Sequence, residues 1–176
     1  MRILKWLGIG VLVLAAVLVI GGYLLPGSFH VTRSVLIAAK PEAIYPLVAD
    51  PRGWKQWSVW NQRDPGMQIT YSGPPSGAGA KWAWTSKSEG DGAMTFTAAE
   101  PPGHVAFDLY FPDFGITSKG DIRLEPKGAA TQVAWTMDGD MGANPLFHWV
   151  ALAADSMVGK DFEAGLAQLK AVAERH

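Results

Sequence analysis

Seven segments of the chain alternate apolar and polar residues at period two, and this pattern restricts the possible fold more than any other feature. Val31, Arg33, Val35 and Ile37 alternate with Thr32, Ser34 and Leu36, and Met67, Ile69 and Tyr71 with Gln68 and Thr70. Trp82 and Trp84 sit between Lys81, Ala83 and Thr85, and Met94, Phe96 and Ala98 alternate with Thr95 and Thr97. Val105, Phe107, Leu109 and Phe111 oppose His104, Asp108 and Tyr110. Ile116, Ile122 and Leu124 oppose Thr117, Lys119, Asp121 and Arg123, and Val133, Trp135 and Met137 oppose Gln132, Thr136 and Asp138. Side chains of a strand point alternately to its two faces, so each segment predicts a half-buried strand. The connections are short and rich in turn residues, as in Gly90-Asp91-Gly92, Pro101-Pro102-Gly103 and Pro126-Lys127-Gly128. Such links join antiparallel neighbours, whereas parallel strands need long crossovers.

Helical spacing occurs at two places. Pro41 to Asp50 carries Ile44, Leu47 and Val48, with Pro46 predicting a short or kinked helix. After the start signal Asn144-Pro145, Val158, Phe162, Leu166, Leu169 and Val172 form an apolar stripe, and Gly159 is expected to bend the chain between a short first piece and this long helix. A sheet with one apolar face must be covered. The expected fold is therefore α+β, a seven-stranded curved antiparallel sheet wrapped on a long C-terminal helix with space between them.

Ahead of this domain, no charged side chain occurs between Lys5 and His30, and Trp6 to Leu25 is an apolar run. Twenty helical residues span ~30 Å, the thickness of a bilayer's hydrocarbon core. Trp6 and Tyr23 suit the two interfaces. A cleaved signal peptide, the competing reading, carries a shorter apolar region ending in small residues; its one passable site here is Val19-Ile20-Gly21. The expectation is an uncleaved single-pass transmembrane helix. Arg2 and Lys5 flank its start closely, which places the N-terminus in the cytoplasm and the domain on the extracytoplasmic, periplasmic side. Residues 1–28 are then anchor and linker, the latter Pro26-Gly27-Ser28, and residues 29–176 the folded domain.

Without Arg2 and Lys5, 13 of the 15 basic residues remain against 16 acidic ones, a net charge of −3 with no basic stripe, so nucleic acid is not an expected partner. The absence of cysteine removes disulfides, thiolate metal sites and cysteine nucleophiles. No His-x-x-x-His spacing suggests a metal, and Gly73 to Gly79 lacks the Gly-Lys-Ser/Thr of a phosphate cradle. No cofactor is expected.

The order of elements resembles the START-like (SRPBCC) superfamily, the polyketide cyclase/dehydrase and lipid-transport group. Asp50 to Asn61 resembles its "D-x-x-x-W-x-x-W-x-x-W" segment through Trp54, Trp57 and Trp60, and Ser72 through Gly79 its glycine-bearing hairpin. Gly128 through Trp135 resembles its "G-T-x-V-x-W" element, with Ala129-Ala130 ahead of Thr131 where the family more often has glycine, and Phe162 through Lys170 its closing "G-L-x-x-L-K" helix. The match covers about residues 29–175 and implies a helix-grip fold. The fold hosts carriers and enzymes alike, so it does not fix an activity.

The resemblance implies a cavity for a hydrophobic small molecule or lipid between sheet and helix. Its expected lining is Trp54, Trp57, Trp60, Trp82, Trp84, Phe96, Phe107, Phe111, Trp135, Met137 and Phe162. For the Trp54–Trp57–Trp60 set a gate at the mouth and a closed core edge both fit, and for the aromatic face a pocket and a sealed core both fit. The alternative function is a cyclase/dehydrase-like enzyme acting on an aromatic or polyketide-type substrate, with His148, Asp138 or Tyr110 as candidates for proton transfer.

Overall fold

A computed structural model describes residues 2–175. Helix α1 (Arg2–Leu24) leads into β1 (Ser28–Ile37), α2 (Pro41–Ala49) and α3 (Val59–Arg63). A meander follows: β2 (Gln68–Ser72), β3 (Lys81–Thr85), β4 (Gly92–Glu100), β5 (His104–Phe111), β6 (Ile116–Lys127) and β7 (Ala130–Asp140), closed by α4 (Pro145–Ala173). The seven strands form one antiparallel sheet in the order β1-β7-β6-β5-β4-β3-β2. A register shift between Phe96 and Ala98 bends β4, one source of the sheet's curvature. This is the α+β helix-grip architecture that the period-two segments and the C-terminal stripe predict.

The inner face follows the alternation, with Val105, Phe107 and Leu109 of β5, Ile122 and Leu124 of β6, and Val133, Trp135 and Met137 of β7 all buried. Gly120 leaves room for one of these rings, because a Cβ there would stand 2.0 Å from Phe107. From α4 the sheet receives Phe162, Leu166 and Leu169.

One local expectation changes, and two others take definite form. Helix α4 runs unbroken for 29 residues from its cap, where Asn144 Oδ1 accepts from Leu146 N at 3.0 Å, so Gly159 separates no two pieces. Gly159 instead admits Arg33, whose Nη2 would lie 2.0 Å from a Cβ there. The Asp50–Asn61 stretch, where tryptophan recurs every three residues, forms a 3₁₀ turn at Gly53–Gln56 and the five-residue α3. Pro46 lies inside the nine-residue α2, in keeping with a short helix.

Helix α1 is long and apolar enough to cross a membrane over Lys5–Leu24. Its last turns pack against the first turns of α4. Trp149 Nε1 donates to Leu18 O at 2.9 Å, and a Cβ on Gly22 would meet Pro145 O at 2.1 Å. The short link into β1 is fixed as well, since Met141 N donates to Gly27 O at 2.9 Å.

Candidate functional site

The concave face and α4 diverge toward the N-terminal half of the helix, leaving a cavity of about 330 Å³. Leu109 and Phe111 of β5, Ile116 of β6 and Met137 of β7 form its floor, and Phe147, Val150, Ala154 and Val158 of α4 its roof. Phe114, Val150 and Met157 lie at its margin and are exposed. A second hollow of about 70 Å³ adjoins it, lined by Trp54, Trp82, Trp84 and Met94; Trp60, Glu89, Leu109 and Phe111 border both.

The walls between the two hollows carry polar groups held in place by each other. Trp60 Nε1 donates to Asp161 Oδ2 at 3.0 Å, Arg63 Nη1 donates to the same oxygen at 2.9 Å, and Arg63 Nη1 stands 3.7 Å from Glu89. The hydrogen bond from Arg63 to Asp161 is the main reason its guanidinium is held more firmly protonated than usual. Ser86 Oγ donates to Asp64 Oδ2 at 2.6 Å and Ser86 N to Asp91 Oδ1 at 3.0 Å, which fixes the β3–β4 loop at the rim. The lining of the larger cavity holds three carboxylates, Glu89, Asp91 and Asp113, and no basic side chain. Its interior suits an apolar body, and its charge disfavours an anionic end group.

The expected lining residues divide. Trp60, Phe111 and Met137 border the larger cavity, and Trp54, Trp82 and Trp84 the smaller. Trp57, Phe96, Phe107, Trp135 and Phe162 border neither and belong to the packed core. There Trp135 stacks on Phe162 with centroids 3.8 Å apart, and Trp54 meets Trp135 edge-on at 5.6 Å. Trp54 and Trp57 are tied to α2 through donation to Val48 O and Leu47 O, each at 2.9 Å. Of the three tryptophans in that segment, Trp60 alone stands at the larger cavity, while Trp54 and Trp57 close the core.

The structure does not bring the three proton-transfer candidates together or into the cavity. Asp138 is on the outer face of β7, where His30 Nδ1 donates to its Oδ1 at 2.7 Å. Tyr110 is exposed on the outer face of β5. His148 turns toward α1, with Nδ1 2.8 Å from Gly22 O and Nε2 2.9 Å from Gly142 O. Carbonyl oxygens only accept, so both contacts are hydrogen bonds only when the ring is protonated. The Gly142 and Gly22 carbonyls accordingly raise the His148 pKa above its ordinary 6.5. Among the described residues, no group of three or more His, Cys, Asp and Glu side chains could hold a metal.

Sequence reasoning missed Phe147, Val150 and Ala154. The signal was present, because these residues continue the Val158–Phe162–Leu166 stripe backwards at helical spacing. An expected break at Gly159 hid the continuity.

A curved antiparallel sheet gripping one long helix, with an apolar cavity beneath the first half of that helix, defines a helix-grip domain of the START-like class. Residues 28–174 match the family model described as polyketide cyclase/dehydrase and lipid transport, and the chain belongs to that family. No curated protein sequence matches significantly. Among solved structures, a Thermobifida fusca protein is 20% identical with a TM-score of 0.66, over 83% of this chain and 93% of that one. Norcoclaurine synthase of Thalictrum flavum, a point mutant in complex with a transition-state analogue, is 12% identical with a TM-score of 0.64, over 85% and 96%. The Aha1 dimer of Colwellia psychrerythraea is 19% identical with a TM-score of 0.57, over 82% and 96%. At these identities the likeness establishes the fold alone.

Proposed function

We propose that the chain is a membrane-anchored START-like domain that holds a hydrophobic small molecule or lipid in the cavity beneath the first half of α4. The observation that carries this reading is the 330 Å³ cavity itself, apolar within. Glu89 is paired with Arg63, which leaves Asp91 and Asp113 as the lining carboxylates without a basic partner nearby among the described residues and favours a ligand whose polar end is neutral or cationic. Anchoring rests on the apolar Lys5–Leu24 helix, uncharged from Trp6 onward, and the close flanking by Arg2 and Lys5 favours a cytoplasmic N-terminus. The cyclase/dehydrase-like alternative loses support because Asp138 and Tyr110 lie on the outer face and His148 faces α1.

A fluorescence experiment tests the binding reading. The full-length chain in nanodiscs is titrated with a neutral naphthylamine probe, and energy transfer from the cavity tryptophans is followed beside Ala154→Phe, which fills the cavity from α4. The expected result is saturable transfer at one probe per chain in the wild type and its loss in the variant. Transfer that is linear with probe and equal in both proteins would overturn the reading.

A further inference from the structure

The first turns of α4 present an unusual surface. From Pro145 to Ala154 the helix carries no charged residue except through His148, whose two ring nitrogens both face backbone carbonyls. Leu146, Val150 and Leu152 are nonetheless exposed by 46 to 60%. Leu146 and Val150 share one side of the helix and Leu152 lies on the other. Phe114, in the β5–β6 turn, extends the Leu146–Val150 side, with its ring 6.1 Å from that of Phe147. An apolar surface of this kind on a monomer marks a contact site.

Its place beside α1 identifies the occupant. Pro145 lies against Gly22, and Trp149 against Gly21 and Leu18, so α4 runs antiparallel along the last two turns of α1. Leu18 is seven residues before Leu25, ~10 Å back along the helix axis. Whatever surrounds the end of α1 therefore also surrounds the start of α4. Trp149 adds a residue type that collects at membrane interfaces, its N–H already satisfied by Leu18 O.

We propose that the first turns of α4, together with Phe114, are immersed in the interfacial layer of the bilayer that α1 spans, so that the cavity mouth opens onto lipid. Phe114, Val150 and Met157 border the cavity and belong to this exposed surface, so a hydrophobic ligand passes between bilayer and cavity without crossing water. The inference rests on the anchoring reading and adds a docked orientation to it.

The chain has no cysteine, so single spin labels can be placed cleanly. Full-length Leu12→Cys, Phe114→Cys, Val150→Cys, Leu152→Cys and Lys127→Cys proteins are labelled in phosphatidylcholine/phosphatidylglycerol nanodiscs. Collision with oxygen, which concentrates in lipid, is compared with collision with a water-soluble nickel chelate. Lys127, the exposed last residue of β6 at the end of that strand far from the cavity, reports water. The expected oxygen-to-nickel ratio is highest at Leu12 and several-fold above Lys127 at Phe114, Val150 and Leu152. A lipid-like Leu12 with the other three equal to Lys127 would overturn the docking and leave the anchor standing. A water-like Leu12 would overturn both. Labels at Val150 and Leu152 shielded from both reagents and dipolar-broadened would show that a second copy covers the surface, and would also overturn the proposal.

Discussion

The guanidinium of Arg33 crosses directly over the backbone of Gly159, so close that a methyl group at residue 159 would lie 2.0 Å from its Nη2. Arg33 points inward from β1 and is pinned on both sides of the glycine, donating to Asp155 Oδ1 at 2.7 Å and to Glu163 Oε1 at 2.6 Å. A glycine in mid-helix costs ~1 kcal/mol relative to alanine. Here the residue that weakens the helix opens the slot through which β1 is fastened to α4.

Gly159→Ala should therefore destabilise the protein by about 1–3 kcal/mol, as overpacking does. In an Arg33→Ala background the same change should stabilise by ~0.5–1 kcal/mol, because only the helix propensity remains. Urea unfolding of the four proteins of this cycle measures the reversal of sign. Destabilisation in both backgrounds would show that Arg33 is not what makes Gly159 necessary.

Trp57 and Trp135 are equally buried but differ in one hydrogen bond. Trp57 Nε1 donates to Leu47 O, whereas Trp135 Nε1 is enclosed without a partner. Replacement by Phe orphans a carbonyl in the first case and removes an unsatisfied donor in the second. Trp57→Phe should cost about 1–3 kcal/mol more than Trp135→Phe, the usual penalty for one buried polar group left unpaired. Denaturant midpoints of the two variants decide the comparison.

The contact between α1 and α4 should depend on pH through His148. Its pKa is raised, chiefly by the Gly142 carbonyl and then by that of Gly22, with Leu25 O and the carboxylate of Asp140 acting in the same direction. A group with a raised folded pKa contributes stability that is complete below its unfolded value of ~6.5 and is lost as pH rises through the folded value. Nuclear magnetic resonance titration should find the His148 ring half-protonated above pH 6.5, and hydrogen exchange at Met141 and Phe147 should quicken with pH by more than the intrinsic base-catalysed rise, as lost protection. In His148→Gln that acceleration should disappear.

The fold was legible because both of its layers write a period into the sequence. Two-residue alternation marked every strand, and the Phe162–Leu166–Leu169 stripe marked the covering helix. The site was legible only in part. Alternation identifies the inner face of a strand, but Phe107 and Phe111 share that face although one is packed solid and the other borders the cavity. That difference arises from the angle between α4 and the sheet, which no single strand encodes. Gly159 misled because mid-helix glycine suggests a break, while its actual cause, Arg33, lies 126 positions away in the chain. The tryptophans at 54, 57 and 60 share a spacing but not a fate, since a 3₁₀ turn and α3 direct them differently.

Native mass spectrometry of the intact chain, released from detergent, tests the central claim most directly. The wild type should carry a hydrophobic molecule in one-to-one ratio, and Ala154→Phe, shown by circular dichroism to be equally folded, should fly bare. A wild type recovered only at its bare mass, or an adduct equally abundant in both proteins, would contradict the cavity as a ligand site.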